Sequence, residues 1–486
     1  MIKQKQLMVQ SVNYIKTKHG NNYIVDNYSN YLSITPSHGV KYISDNTEFD
    51  TSSYYTKKIA YLHKMGILNP KDNLEFKYKI KEEDVIISLA NTRQITFEVT
   101  DVCNLNCVYC AYGKFYNNYD IRSNKKMDIR LAYSMLKYMN KLWNSNYNHS
   151  DGVVNIGFYG GEPLLNMNFI KTIVSFTENL DNPSRKFTYS MTTNGLLLDK
   201  YMDYLHEKKF DLLISLDGDS YGSALRIDKQ GNPSFNQVLK NIDLLYTKYS
   251  DYFENHVNFN SVISKNNSIV NSYNFIKNKY RKTPRVSTIN PLGINDDLKN
   301  EFYSIYANIK DGVSDFDFDK IRSCMEIFAP GAVSFAQFIR RFSNSFYQDS
   351  RDLFFSLKTK KFSTGTCQPF SRKIFVTVNG KILPCERIGQ NYSFGICTPD
   401  DVIIDNKYIV SLYNNSYRRL QSYCDKCYNN KECTECIFYI FDSNDHLNCN
   451  GFMSKKEWIN KVTENIEIAE SGIYSYRDII NKYKII

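Results

Sequence analysis

Glu98-Val-Thr-Asp-Val-Cys-Asn-Leu-Asn-Cys-Val-Tyr-Cys110 is the stretch that decides the fold. Cys103, Cys107 and Cys110 stand in a C-x3-C-x2-C pattern. The alternating β-type run Gln94-Ile-Thr-Phe-Glu-Val-Thr100 leads straight into it. Three thiolates in one short loop can hold three irons of a four-iron, four-sulfur cube and leave the fourth iron open to a small molecule. A zinc loop is the competing reading, but zinc wants a fourth ligand. The loop offers no further Cys or His, and the nearest histidines in sequence are His63 and His149.

The cysteine spacing, the strand before it and the aromatic Tyr109 before the last cysteine resemble the radical S-adenosylmethionine (SAM) enzymes. The resemblance implies a [4Fe-4S] cluster whose open iron chelates SAM. It also implies reductive cleavage of SAM to a 5′-deoxyadenosyl radical that abstracts hydrogen from unactivated C–H bonds.

Working outward, strand-type and helix-type patterns alternate from residue 93 to 292. Strands are expected at Gln94–Thr100, Val153–Tyr159, Phe187–Thr193, Leu212–Asp217, Val257–Ile263 and Val286–Asn290. Helices are expected at Asp128–Trp143, Phe169–Leu180, Lys200–Lys208, Ser234–Tyr249 and Ile269–Tyr280. Such alternation argues an α/β fold with a parallel sheet and helical crossovers. The resemblance implies the partial (β/α)6 barrel of radical SAM enzymes, with the active site at the C-terminal strand ends, as in full barrels.

Polar residues cluster at those expected strand ends. Tyr159-Gly160-Gly161-Glu162-Pro163 matches the family's Gly-Gly-Glu-Pro motif for the SAM amino group. Thr192-Thr193-Asn194-Gly195 and Ser215-Leu216-Asp217-Gly218 resemble segments whose side chains hydrogen-bond the SAM ribose and carboxylate. On that resemblance Tyr109, Gly160, Gly161, Glu162, Asn194, Ser215 and Asp217 are cofactor-binding candidates, and Arg226 is a candidate for the SAM carboxylate. Asn260 and Asn290-Pro-Leu-Gly293 are further adenosine-side candidates. The sequence identifies no general base.

Residues 367–486 are rich in cysteine. Eight of the twelve cysteines lie from Cys367 to Cys449. Asn379-Gly380, between Lys373–Val378 and Lys381–Leu383, is a tight-hairpin signal. The order Cys367, Gly380, Cys385, Cys424-x2-Cys427-x5-Cys433-x2-Cys436 and Cys449 resembles the SPASM extension of radical SAM peptide maturases, apart from x2 where x3 is usual before Cys436. The resemblance implies two auxiliary [4Fe-4S] clusters. Cys367, Cys385 and Cys436 would serve one, with Cys397 or an open iron as its fourth position. Cys424, Cys427, Cys433 and Cys449 would serve the other. A zinc ribbon is the alternative for the C-x2-C pairs.

Residues 1–92 show short strands at Asn22–Val25 and Tyr31–Ile34, then a helix at Tyr54–Met65 closed by Gly66 and Asn69-Pro70. This suits a small winged-helix-like module. The resemblance implies a leader-peptide recognition element that takes an extended peptide at a sheet edge; a plain packing extension is the alternative. Residues 293–366 are expected to be a mainly helical bridge, with helices at Asp297–Lys310 and Phe335–Tyr347 and a lone Cys324. A last helix is expected from Lys455 to Glu470.

Composition bounds the rest. The 486-residue chain is 42% hydrophobic, enough for a sizeable core in several domains, and carries a net charge of +10 spread without a dense basic run. Nucleic acid is therefore a minor expectation as a partner. No signal peptide or membrane-length apolar stretch is read, so a cytoplasmic location with reduced cysteines is expected. The resulting expectation is an enzyme that installs an oxidative thioether, carbon–carbon or ether crosslink in a ribosomally made precursor peptide, with a flavodoxin or ferredoxin as reductant. Alternatives are a maturase that forms formylglycine in an enzyme, or a zinc-binding protein without catalysis.

Overall fold

The computed structural model describes residues 13–27, 30–35, 54–65, 79–149, 152–182, 185–291, 293–307, 330–342, 364–430, 432–440, 447 and 449–472. Two sheets organise them. The larger is built on β4 (Gln94–Thr100), β5 (Gly152–Gly160), β6 (Arg185–Thr193), β7 (Asp211–Ser215), β8 (Val257–Ile263) and β9 (Arg285–Thr288). These six strands lie in sequence order and every neighbouring pair is parallel. All six expected strands form, Gln94–Thr100 and Val257–Ile263 with the expected bounds and the other four with ends shifted by at most two residues.

Helices Ile129–Trp143, Met167–Glu178, Leu198–Glu207, Phe235–Lys248 and Ile269–Tyr280 make the crossovers. A parallel pair needs such a connection, and each helix has an apolar stripe to bury. On Ile129–Trp143 the stripe is Leu131, Met135, Leu136, Met139 and Trp143, and the Asp128 carboxylate caps the first turn by accepting from Arg130 N. The outward residues of the strands, such as Phe97, Phe158 and Ile214, join these helices in one core. The inward positions are more polar: Thr96, Glu98, Asn155, Ser190, Thr192, Ser215 and Asn260 follow the period of two.

The cysteine-rich part is not a separate sheet. β10 (Ile374–Val376) pairs parallel with β4, and β11 (Lys381–Leu383), β12 (Gly395–Cys397) and β13 (Val402–Ile404) continue antiparallel to the edge. The Asn379-Gly380 signal falls in the β10–β11 turn, where Gly380 has φ +81°. Buried Glu98 ties the two parts together by accepting from Val378 N at 2.9 Å. The 19-residue helix Asn406–Cys424 then packs Ile409, Tyr413, Tyr417 and Leu420 into the same core.

The second sheet is antiparallel: β1 (Asn13–Lys16), β2 (Asn22–Asp26) and β3 (Tyr31–Thr35). It shares a small core with helices Pro330–Phe342 and Lys455–Ser471 through Ile15, Val25, Phe335, Phe338, Trp458 and Val462. Helix Tyr54–Lys64 lies beside β3, where Lys58 Nζ donates to Ser33 Oγ at 3.3 Å. Gly66, Asn69-Pro70, Cys324 and the ends of the helices expected at Asp297–Lys310 and Phe335–Tyr347 lie outside the described residues. The described parts of those helices are Lys299–Ile305 and Pro330–Phe342. Among the described residues no helix is long and apolar enough to cross a membrane.

Candidate active site

β4 delivers the cysteine loop to the C-terminal edge of the sheet. Leu105 N donates to Cys103 Sγ at 3.4 Å, and Asn106 N and Val108 N donate to the carbonyls of Ile227 and Leu225. Burial pushes the Cys103 thiol up to about 11 and the Cys107 thiol up to about 12, and the Cys110 sulfur adds repulsion at both. Three half-buried thiols whose ionised forms repel one another become stable thiolates only against a cation held between them. The donor set therefore fits an iron–sulfur cluster.

Glycines bring the next strand end against this loop. Gly161 N donates to Thr100 O at 2.9 Å and Glu162 N to Val102 O at 2.8 Å. A Cβ on Gly160 would stand 2.2 Å from Thr100 O, and one on Gly161 2.0 Å from Val102 O. Only residues without a side chain permit this approach. The Glu162 carboxylate is fully buried and accepts from Leu164 N (3.1 Å), Thr193 Oγ1 (2.7 Å) and Asn194 N (2.8 Å). Burial raises it to about 7 against the pull of those three donors. Asn194 continues the chain: its Nδ2 donates to Asn104 Oδ1 at 2.8 Å and approaches Cys103 Sγ at 3.7 Å.

Asp217 and Arg226, both read as cofactor-side candidates, are partners of each other. Arg226 Nε donates to Oδ2 at 2.9 Å and Nη2 to Oδ1 at 3.1 Å, with the side chains only 9% and 1% exposed. Asp217 also accepts from Tyr109 Oη and from Val262 N (2.8 Å). The Arg226 guanidinium lies 5.5 Å from the Tyr109 ring centroid. Burial alone would lower its pKa, but the Asp217 carboxylate outweighs this and holds it above the ordinary value. Tyr109 is thus an anchor for the loop between Cys107 and Cys110. Ser215 ends β7 opposite Asn260, which accepts from Ser287 Oγ at 3.0 Å.

The C-terminal cysteines fall into two further sets. Burial pushes Cys436 up to about 12, with added repulsion from Cys385 and Cys367. Burial likewise pushes Cys424 up to about 12, with repulsion from Cys433, Cys427 and Cys449. Cys397 belongs to neither set. It is buried on β12 and donates to Leu131 O at 3.1 Å, against helix Ile129–Trp143. Among the described residues no three His, Cys, Asp or Glu side chains converge closely enough for one metal ion.

Thr193 lies in a segment that the sequence marks, whereas Asn104 and segment 111–126 carry no signal of their own. Asn104 and Thr193 hold Asn194 and Glu162, as above. Segment 111–126 crosses the mouth of the sheet: Asn117 N donates to Gly293 O, Gln390 N to Asn118 O at 2.9 Å, and Lys381 Nζ pairs with Asp120 at 2.6 Å. It has no periodicity, and only its Asn, Tyr and Gly content marks it as loop.

The site can now be set beside known proteins. Residues 97–262 match the profile of the Radical SAM superfamily. This stretch is a radical SAM domain. The superfamily's cofactors are a [4Fe-4S] cluster and SAM. The radical SAM cyclopropyl synthase TigE of Paramaledivibacter caminithermalis is 27% identical over 226 residues, 46% of this chain and 45% of TigE. A cysteine-type anaerobic sulfatase-maturating enzyme of Clostridium novyi is 29% identical over 42% of this chain and 52% of its own length. The chain thus matches about half the length of these curated relatives. The structure of native anSMEcpe with bound AdoMet superposes with a TM-score of 0.53 at 18% identity, covering 80% of this chain and all of that one. It shows the same α/β fold with a mostly parallel sheet.

Proposed function

We propose that the chain is a radical SAM maturase of a ribosomally made, cysteine-containing peptide. Cys103, Cys107 and Cys110 would hold a [4Fe-4S] cluster, which when bound would supply the electron for reductive cleavage of SAM and so the means to abstract hydrogen from the substrate. The chain's own residues prepare that step. Glu162, Asn194 and the glycine pair shape the SAM side, and the Asp217–Arg226–Tyr109 group fixes the cysteine loop.

The observation that carries the peptide reading is the pair of C-terminal thiol sets, read as a SPASM extension. Cys424, Cys427, Cys433 and Cys449 make a full set of four for one auxiliary cluster. Cys367, Cys385 and Cys436 make a set of three for the other, and Cys397 is spent on Leu131. The fourth position of that cluster falls to a substrate thiolate, which favours a thioether over a carbon–carbon or ether crosslink. The β1–β3 sheet and its neighbouring helix suit a leader-recognition module of the winged-helix type, with β3 as the strand that takes the peptide by edge addition. A flavodoxin or ferredoxin in the cytoplasm is the reductant this chemistry needs.

The relationship to sulfatase-maturating enzymes supports a second reading, formylglycine formation in a protein substrate. One experiment separates the two. The reconstituted enzyme is incubated with SAM, reductant and the cysteine-containing peptides encoded near its gene, and the products are analysed by mass spectrometry. The thioether reading expects a loss of two hydrogens with one thiol no longer alkylated. An aldehyde that traps hydrazine supports formylglycine, and an unmodified peptide with SAM cleavage intact removes the peptide reading.

A further inference from the structure

Segment 111–126 turns back beside the cysteine loop that precedes it. Asp101 N donates to Lys125 O at 3.1 Å, Thr100 Oγ1 to the same carbonyl at 2.7 Å, and Met127 N to Val99 O at 3.0 Å. Ser123 N donates to Asp101 Oδ2 at 2.8 Å. Residues 123–127 therefore run antiparallel to the end of β4, on the flank away from Gly160-Gly161. Continued by one step beyond Ser123, this register carries Arg122 toward Asn104, the residue after Cys103.

The Arg122 guanidinium stacks over the Tyr112 ring, 4.3 Å from its centroid. Its Nε is buried and has no hydrogen-bond partner among the described residues. Tyr112 stands two residues beyond Cys110, so the stacked guanidinium lies beside the cysteine loop. The contrast with Arg226 is instructive. Arg226 lies over the Tyr109 ring of the same loop, but its fork is taken by Asp217. Arg122 is a cation beside the loop with a donor still to place, and buried donors without acceptors are rare.

We propose that Arg122 is a positioning residue for the cluster at Cys103, Cys107 and Cys110, raising the potential at which that cluster accepts its electron. The inference rests on the cluster reading given above. The physics is direct. Reduction adds one negative charge, a half-buried cation beside the cysteine loop stabilises the reduced form, and a donor to a cluster sulfur acts in the same sense. Stacking on Tyr112 holds the guanidinium in place without consuming its N–H groups.

The test uses the full chain, reconstituted anaerobically, with iron counted per chain. The EPR signal of the reduced cluster that responds to added SAM is followed against applied potential. Wild type is compared with Arg122→Met, Arg122→Gln and Arg122→Lys. The expected result is unchanged iron and a more negative potential in the two neutral variants. The shift corresponds to about a tenfold change in the one-electron equilibrium, about 59 mV, with at least half recovered in Arg122→Lys. Neutral variants within about twofold of the wild-type equilibrium, roughly 18 mV, would overturn the proposal. So would an Arg122→Lys shift as large as that of Arg122→Met, which would assign the effect to packing. An unchanged potential with SAM affinity weakened tenfold would overturn it too, and would give Arg122 to SAM instead. A wild-type chain that takes up no iron removes the cluster reading itself and this inference with it.

Discussion

Replacing Arg226 with methionine should leave one of the most buried carboxylates of the domain without its cation. Asp217 is 1% exposed and holds four donors: Arg226 Nε and Nη2, Tyr109 Oη and Val262 N. Methionine keeps the apolar volume but removes two of the four and the compensating charge. Breaking a buried pair from one side costs about 3–5 kcal/mol, most of it the uncompensated charge left behind. With a urea m-value of about 3 kcal/mol/M, the unfolding midpoint should fall by about 1–1.7 M. The chain has two tryptophans, Trp143 in the core of the larger sheet and Trp458 in the core under the β1–β3 sheet. A Trp458→Phe background therefore makes Trp143 fluorescence a reporter of the larger sheet and its helices alone. Adding Asp217→Asn to Arg226→Met should recover most of the loss, because it removes the uncompensated charge, its amide oxygen still accepts from Val262 N, and its NH2 at the Oδ2 position can donate to the Tyr109 hydroxyl. A single-variant loss below about 1 kcal/mol, the value of an exposed pair, would refute the reasoning. Failure of the double variant to recover would refute it as well.

Three other outcomes follow from the same geometry. Glu162 has its pKa raised by burial from 4.5 to about 7. The folded state therefore holds a proton that the unfolded state has released, and stability falls as pH rises from about 4.5 through 7, by about 3 kcal/mol in all. Urea midpoints of the metal-free protein at several pH values should show this slope, and Glu162→Gln should remove it. Iron per chain should drop by about one third in Cys424→Ala and stay unchanged in Cys397→Ala, one of three four-iron clusters being lost in the first case only. Trp458→Ala should cost about 3–5 kcal/mol in the core it shares with Ile15, Val25 and Phe335. Limited proteolysis should then cut within residues 13–35 first, while the Trp143 signal is retained.

The sequence was most informative where chemistry forces a spacing. The cysteine loop, the Gly160-Gly161 approach and the six parallel strands could be read because each has a periodic or stereochemical signature. The pairing of Asp217 with Arg226 could not, since eight residues of irregular loop separate them and only the fold turns one toward the other. Helix Asn406–Cys424 went unread for another reason. Its buried stripe includes Tyr413, Ser416 and Tyr417, and tyrosine is so abundant here, with 39 in the chain, that it carried little weight. Strands β12 and β13 have three residues each, too few for an alternating pattern. Helix Glu82–Ala90 and strand β1 were passed over as well. The helix is short, and β1 is a four-residue edge whose inward Asn13 and Ile15 differ in polarity. Segment 111–126 is held by main-chain hydrogen bonds that no residue pattern announces, and that is where Arg122 lies.

The central claim is that three thiol sets hold three clusters and that the first of them drives SAM cleavage. Iron and sulfide per chain after anaerobic reconstitution, followed by SAM, reductant and an assay for 5′-deoxyadenosine, tests it most directly. The account predicts about twelve irons and 5′-deoxyadenosine formation that disappears in Cys107→Ala. Zinc in place of iron, with SAM left intact, would contradict it.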